Sequence, residues 1–165
     1  MGATTAIVLS PFHRHIFLSA GIDGYLKLRS SMQKHAIASM ENGSDGGADR
    51  ICVSNGLYAA DWSKIRPLVF ASAGDGGVVR VHDLGSAQSM VPVVELKPPL
   101  MLAKPGAHAR ILTLKFNHKQ RDFLACGDAF GHVHIWQLSW ELSNAIPYET
   151  EVLQAYIERV EQTAL

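Results

Sequence analysis

The sequence predicts an all-β chain of three repeated antiparallel units with a short helix at its C-terminal end. Three observations predict it. Residues 6–30, 59–83 and 113–137 align without a gap, at offsets of 53 and 54 residues. Within each segment, apolar and polar residues alternate with a period of two after a glycine. The last residues of the chain instead place apolar side chains at helical spacing. Self-similarity at fixed spacing marks architectures whose units must stack to bury their faces.

The elements follow in order. Leu9, Trp62 and Phe116 end the first strand of each unit with a large apolar side chain. Ser10, Ser63 and Asn117 come next, and all are turn formers. The runs Ile16-Phe17-Leu18, Val69-Phe70-Ala71 and Phe123-Leu124-Ala125 supply the second strand. Gly24, Gly77 and Gly131 close the following turn, which carries Asp23, Asp75 and Asp128. In the third strand Leu26 and Leu28 alternate with Tyr25 and Lys27, Val79 and Val81 with Val78 and Arg80, and Val133 and Ile135 with His132 and His134. Such alternation is that of a strand with one buried face. Val133 and Ile135 are therefore expected on the buried side, and His134, like Lys27 and Arg80, in a polar outward slot. A fourth strand is expected over residues 35–40 and again over 91–96. Four antiparallel strands per unit describe a propeller blade. The blades are expected over residues 1–40, 55–97 and 109–147.

Residues 41–50 hold three Gly and four charged side chains, so a flexible loop is expected over 41–54. Pro98, Pro99 and Pro105 make 98–108 an extended or turning connector. In the tail, residues 148–165, Val152, Leu153, Tyr156, Ile157 and Val160 fall on one helical face. A helix is expected over 150–162, with Thr150 as N-cap and Glu151 in the first turn. Packing on the rim of the array is its expected role, and binding a partner is the alternative.

Composition bounds the function. Fifteen Lys and Arg balance fifteen Asp and Glu over 165 residues. A net charge of zero gives no long-range pull toward nucleic acid or anionic lipid. Cys52 and Cys126 lie in different units among apolar neighbours and are expected as buried free thiols in a reducing compartment. No stretch reaches the ~18 apolar residues of a membrane span. The N-terminus lacks the basic region and cleavage pattern of a signal peptide. A cytosolic address is expected.

The residues that could carry chemistry have structural readings. His132 and His134 share a strand face and could ligate zinc, but the outward slot of His134 favours a solvated strand face. His13 and His15, in a turn-to-strand step, read the same way. Asp61, His82 and Asp83 beside Ser72 would resemble a catalytic triad, yet no nucleophile-elbow or oxyanion motif accompanies them. Ser19 and Cys126 align with Ser72, as expected of a small packed position. Gly74-Asp75-Gly76-Gly77 lies between strands and not before a helix, unlike a phosphate loop. No catalytic residue, cofactor or metal is expected.

The repeats resemble WD repeats. Leu9-Ser10-Pro11, Ser19-Ala20-Gly21 and Asp23-Gly24 carry the pattern in the first unit, Trp62-Ser63, Ser72-Ala73-Gly74 and Val79-Val81 in the second, and Cys126-Gly127, Val133-Ile135 and Trp136 in the third. The Trp-Asp pair is never whole: Arg29-Ser30, His82-Asp83 and Trp136-Gln137 stand in its place. The turn Asp is present as Asp23 and displaced to Asp75 and Asp128 in the other units, where Gly76 and Phe130 occupy its place, so the buried Asp-His-Ser-Trp network of typical repeats is not expected to be whole. The spacing also exceeds the ~40–45 residues of a WD unit. Within that family the segments HIFLSAGIDGYLKL, RPLVFASAGDGGVVRVHDL and FLACGDAFGHVHIWQLS are similar to dynein intermediate chains, in particular those of the intraflagellar-transport motor. The resemblance implies a partial propeller of about three blades, matching a C-terminal portion, with the light-chain-binding N-terminal region absent. It implies a non-catalytic scaffold that binds the dynein heavy chain and other dynein subunits, in the cytoplasmic cytoskeleton and the cilium, at axoneme or basal body. The alternative is a generic WD-repeat adaptor such as a ubiquitin-ligase substrate receptor.

Overall fold

The computed structural model describes residues 2–41, 55–86, 91–99 and 109–163. Among the described residues, eleven strands form three antiparallel sheets, and two helices follow. The first sheet runs β1 (Thr4–Leu9), β2 (Ile16–Gly21), β3 (Tyr25–Ser30) and β4 (Ala36–Glu41), each strand beside the next. The second has the same order in β5 (Leu57–Trp62), β6 (Val69–Gly74), β7 (Val79–Asp83) and β8 (Val94–Leu96). The third holds β9 (Ile111–Phe116), β10 (Phe123–Asp128) and β11 (Val133–Gln137). Helices α1 (Trp140–Ser143) and α2 (Glu149–Thr163) complete the described chain. This is the predicted all-β array of WD-type blades, a partial propeller with a C-terminal helix.

One local device recurs after each first strand. The Ser10 hydroxyl accepts hydrogen bonds from Phe12 N at 3.2 Å and His13 N at 3.3 Å. Ser63 does the same for Ile65 N and Arg66 N, at 3.3 and 3.0 Å. The Asn117 side-chain oxygen serves Lys119 N and Gln120 N, at 2.8 and 3.1 Å. A short oxygen-bearing side chain there satisfies two turn amides that the ladder cannot reach.

The blades stack through two apolar layers. β5 lies against β1 and β2, and β9 against β5 and β6. Leu18, Leu28 and Met40 of the first blade share one core with Leu57, Trp62 and Phe70 of the second. Val79 and Val81 of the second share another with Ile111, Leu114 and Leu124 of the third. Trp62 and Phe70 sit with ring centroids 5.5 Å apart, and Trp62 Nε1 donates to the Pro67 carbonyl at 2.9 Å. The polar end of the indole is thus satisfied inside the core.

Several expectations need correction. β4 starts and ends one residue later than 35–40. β8 begins at Val94 and not at residue 91, because Pro92 has no N–H for the ladder, and the first bond is Val93 N to Val81 O at 2.8 Å. Val133 and Ile135 are exposed, 72% and 65%, whereas His134 and Trp136 on the other face of β11 are half-buried. The alternation holds in all three units, and the expected face is buried in the first two but not in the third. In a stack, both faces of an inner sheet look at neighbouring sheets. Leu26 and Leu28 are covered by the second blade and Val79 and Val81 by the third, but no described residues cover Val133 and Ile135.

α2 packs on the edge of the array. Leu153 and Ile157 are buried in the core between the first two blades, with Tyr156 partly so. Val152 is exposed, which narrows the expected apolar face. The helix starts at Glu149, so Thr150 lies exposed in its first turn and is not its N-cap. The expected flexible loop after Glu41, Cys52 within it, and residues 100–108 of the Pro-containing connector lie outside the described residues.

Candidate functional site

The site is built on the three glycine turns. Gly24, Gly77 and Gly131 take φ of 80°, 65° and 88°, a left-handed conformation that costs a side-chain-bearing residue roughly 1–2 kcal/mol. Their amides donate to the carbonyls of Gly21, Gly74 and Asp128, at 3.1, 3.2 and 3.2 Å. The turns are thus alike in backbone, while the three aspartates stand at three different places in them. Asp23 is third; it accepts from Tyr25 N at 3.4 Å and pairs with Lys27 at 3.2 Å. Asp75 is second. It accepts from Gly56 N at 3.1 Å and the Tyr58 hydroxyl at 3.4 Å, and Arg110 Nε lies 2.8 Å from its other oxygen. That ion contact ties the second blade to the entry of the third.

Asp128 is first in its turn. Its Oδ1 accepts from Phe130 N and His132 N, both at 2.9 Å. Its Oδ2 stands 3.0 Å from His132 Nδ1 and 3.2 Å from His134 Nε2. Burial acts to raise this carboxyl, but the backbone and imidazole hydrogen bonds of His132, with those of His134 and Phe130, outweigh it and hold it at about 2. The His134 ring lies between those of His132 and Trp136, at 6.1 and 6.0 Å. The H-x-H pair was legible in the sequence; its closure onto Asp128 was not, since it depends on the turn.

The other candidates are placed differently. Ser72 Oγ and His82 Nε2 are 3.4 Å apart, and both residues are only 2% exposed. Burial, with Arg80 nearby, pushes the His82 imidazole down to about 4, so it is neutral at pH 7. His82 stacks on Phe70, and its Nδ1 has no hydrogen-bond partner among the described residues. Asp61 instead accepts from Phe116 N at 2.8 Å and pairs with Lys64 and Lys115. Asp83 pairs with Arg66 at 3.1 Å. The structure therefore brings Ser72 and His82 together and directs both aspartates elsewhere. A Cβ at Gly74 would collide with the Gly56 carbonyl, so close packing explains that glycine. His13 and His15 meet edge-on at 5.9 Å, and His15 engages Ser31 and Arg14. The Cys126 thiol is buried and raised to about 11, first by that burial.

One cluster escaped the sequence reading. Arg66 Nε donates to both Glu149 oxygens, at 3.0 and 3.1 Å, and its Nη2 bonds Glu149 and pairs with Asp83. Its Nη1 donates to the Glu141 carbonyl. Burial works against the guanidinium charge, but the Glu149 and Asp83 carboxylates more than offset it. The cluster fastens the start of α2 to the second blade. Nothing local in the sequence names either partner, 83 residues apart.

No described helix is long and apolar enough to cross a membrane. No protein-family model matches the chain. The sequence is 35% identical to cytoplasmic dynein 2 intermediate chain 2 of Homo sapiens over 159 residues, which is 96% of this chain and 26% of that protein. It is 35% identical to the Mus musculus protein of the same name over 152 residues, 92% of this chain and 25% of that one. The chain thus spans about a quarter of the length of the curated relatives it matches.

Proposed function

We propose that this chain, a homologue of cytoplasmic dynein 2 intermediate chains along nearly its whole length, is a non-catalytic scaffold subunit of a dynein. In this reading its blades hold the dynein heavy chain in the motor of retrograde intraflagellar transport, in the cytoskeleton of the cilium. The identity across 96% of the chain is the observation that carries the reading. The fold is consistent with it: stacked blades offer broad, rigid surfaces, and Ile7, Leu9, Val133 and Ile135 remain exposed on the outermost sheets. Ile7 and Leu9 share one face of β1, and Val133 and Ile135 one face of β11; contiguous exposed apolar patches mark interaction surfaces.

The generic-adaptor reading predicts other company. Affinity purification of the tagged protein from ciliated cells separates the two. Recovery of a dynein heavy chain is expected. Recovery of a cullin adaptor in its place would favour a ubiquitin-ligase receptor. A hydrolase activity lost on Ser72→Ala would overturn the non-catalytic assignment.

A further inference from the structure

We propose that Asp128, His132 and His134 form a binding site for a divalent transition-metal cation of the zinc class. The site lies at the turn between β10 and β11. The donor atoms of the three side chains all lie within 4.8 Å of one another. Tetrahedral zinc with bonds of about 2.0–2.1 Å holds its ligand atoms about 3.3 Å apart. Asp128 Oδ2 is already 3.0 Å from one imidazole nitrogen and 3.2 Å from the other. The two imidazole nitrogens, within 4.8 Å of each other, would close on the ion by side-chain rotation.

The surroundings favour ligation. Two backbone N–H groups hold Asp128 Oδ1, which fixes the carboxylate and leaves Oδ2 for the metal. Orientation of a ligand by such outer hydrogen bonds is characteristic of metal sites. His132 is mostly exposed, so the remaining coordination positions open to solvent and are filled by water. Two imidazoles and one carboxylate suit zinc and its neighbours, not the hard cations that prefer all-oxygen shells.

Comparison among the blades shows that the fold does not require this set. Gly21 and Gly74 stand where Asp128 does, Tyr25 and Val78 where His132 does, and Lys27 and Arg80 where His134 does. The first two blades build the same turn without any of the three groups at these places.

Equilibrium dialysis of the purified chain against Zn²⁺ tests the site, with Co²⁺ absorption as a second readout. One zinc per chain is expected, and visible bands of tetrahedral cobalt. Asp128→Asn keeps the Oδ1 acceptor for both backbone amides. His134→Lys installs the residue that the first blade carries at that place. Both variants therefore preserve the turn, and each is expected to weaken zinc binding at least about tenfold. His13→Ala with His15→Ala is expected to leave it unchanged. Absence of bound zinc in the wild-type chain, or undiminished binding in Asp128→Asn and His134→Lys, would overturn the proposal.

Discussion

Arg66 and Glu149 form a buried ion pair, with Arg66 Nε 3.0 and 3.1 Å from the two carboxylate oxygens. The side chains are 4% and 5% exposed. The pair joins the turn after β5 to the first residue of α2, so the helix is part of the folded array and not a loose tail. Leu153 and Ile157 then seat it over the core between the first two blades.

Removing one partner leaves the other charged and buried. Arg66→Ala and Glu149→Ala are each expected to cost about 3–5 kcal/mol. The double substitution should cost less than the sum, because Arg66 and Glu149 no longer leave each other unpaired, and Asp83 loses its partner equally in Arg66→Ala and in the double variant. Denaturant unfolding measures the cycle. Additive losses would show that the two residues act independently.

His82 makes stability depend on pH. Its imidazole is held at about 4 in the fold, against an ordinary 6.5. The unfolded chain therefore binds more protons between those values. The stabilisation from keeping His82 neutral is complete above about 6.5 and is lost as pH falls toward about 4. A shift of that size amounts to roughly 3 kcal/mol at most. His82→Phe should flatten the unfolding free energy across that window. An unchanged slope would contradict the assignment.

The turn glycines should respond unequally to alanine. Gly131→Ala meets no atom within 4 Å, so it feels only the left-handed backbone, a loss of about 1–2 kcal/mol. Gly24→Ala places its Cβ 3.0 Å from the Asn55 carbonyl as well. Its melting temperature should fall further than that of Gly131→Ala. Equal losses would show that the Asn55 segment yields freely.

What was legible in the sequence follows from range. Ser10, Ser63 and Asn117 act within three residues, and Gly24, Gly77 and Gly131 act within their own turns, so local chemistry announced them. The alternation in β11 showed that its two faces differ. It could not show that His134 and Trp136 look toward the second blade, since that depends on which sheet stacks where. Asp128 meets His132 and His134 only once the turn has folded. Arg66 and Glu149 carry no pattern at all, because only the docking of α2 brings them together. Thr150 fits an N-cap on local grounds, but the helix starts at Glu149, whose carboxylate pairs with Arg66.

The described sheets stack as blades, and the first and third leave apolar side chains exposed. Val133 and Ile135 face outward on the third blade, and Ile7 and Leu9 on the first. Faces of this kind drive association when nothing covers them. Sedimentation velocity of the purified 165-residue chain tests this most directly. Self-association beyond the 18.0 kDa monomer is expected, with a shift toward monomer on Val133→Lys with Ile135→Glu. A well-behaved wild-type monomer of 18.0 kDa with a cooperative thermal transition would contradict it.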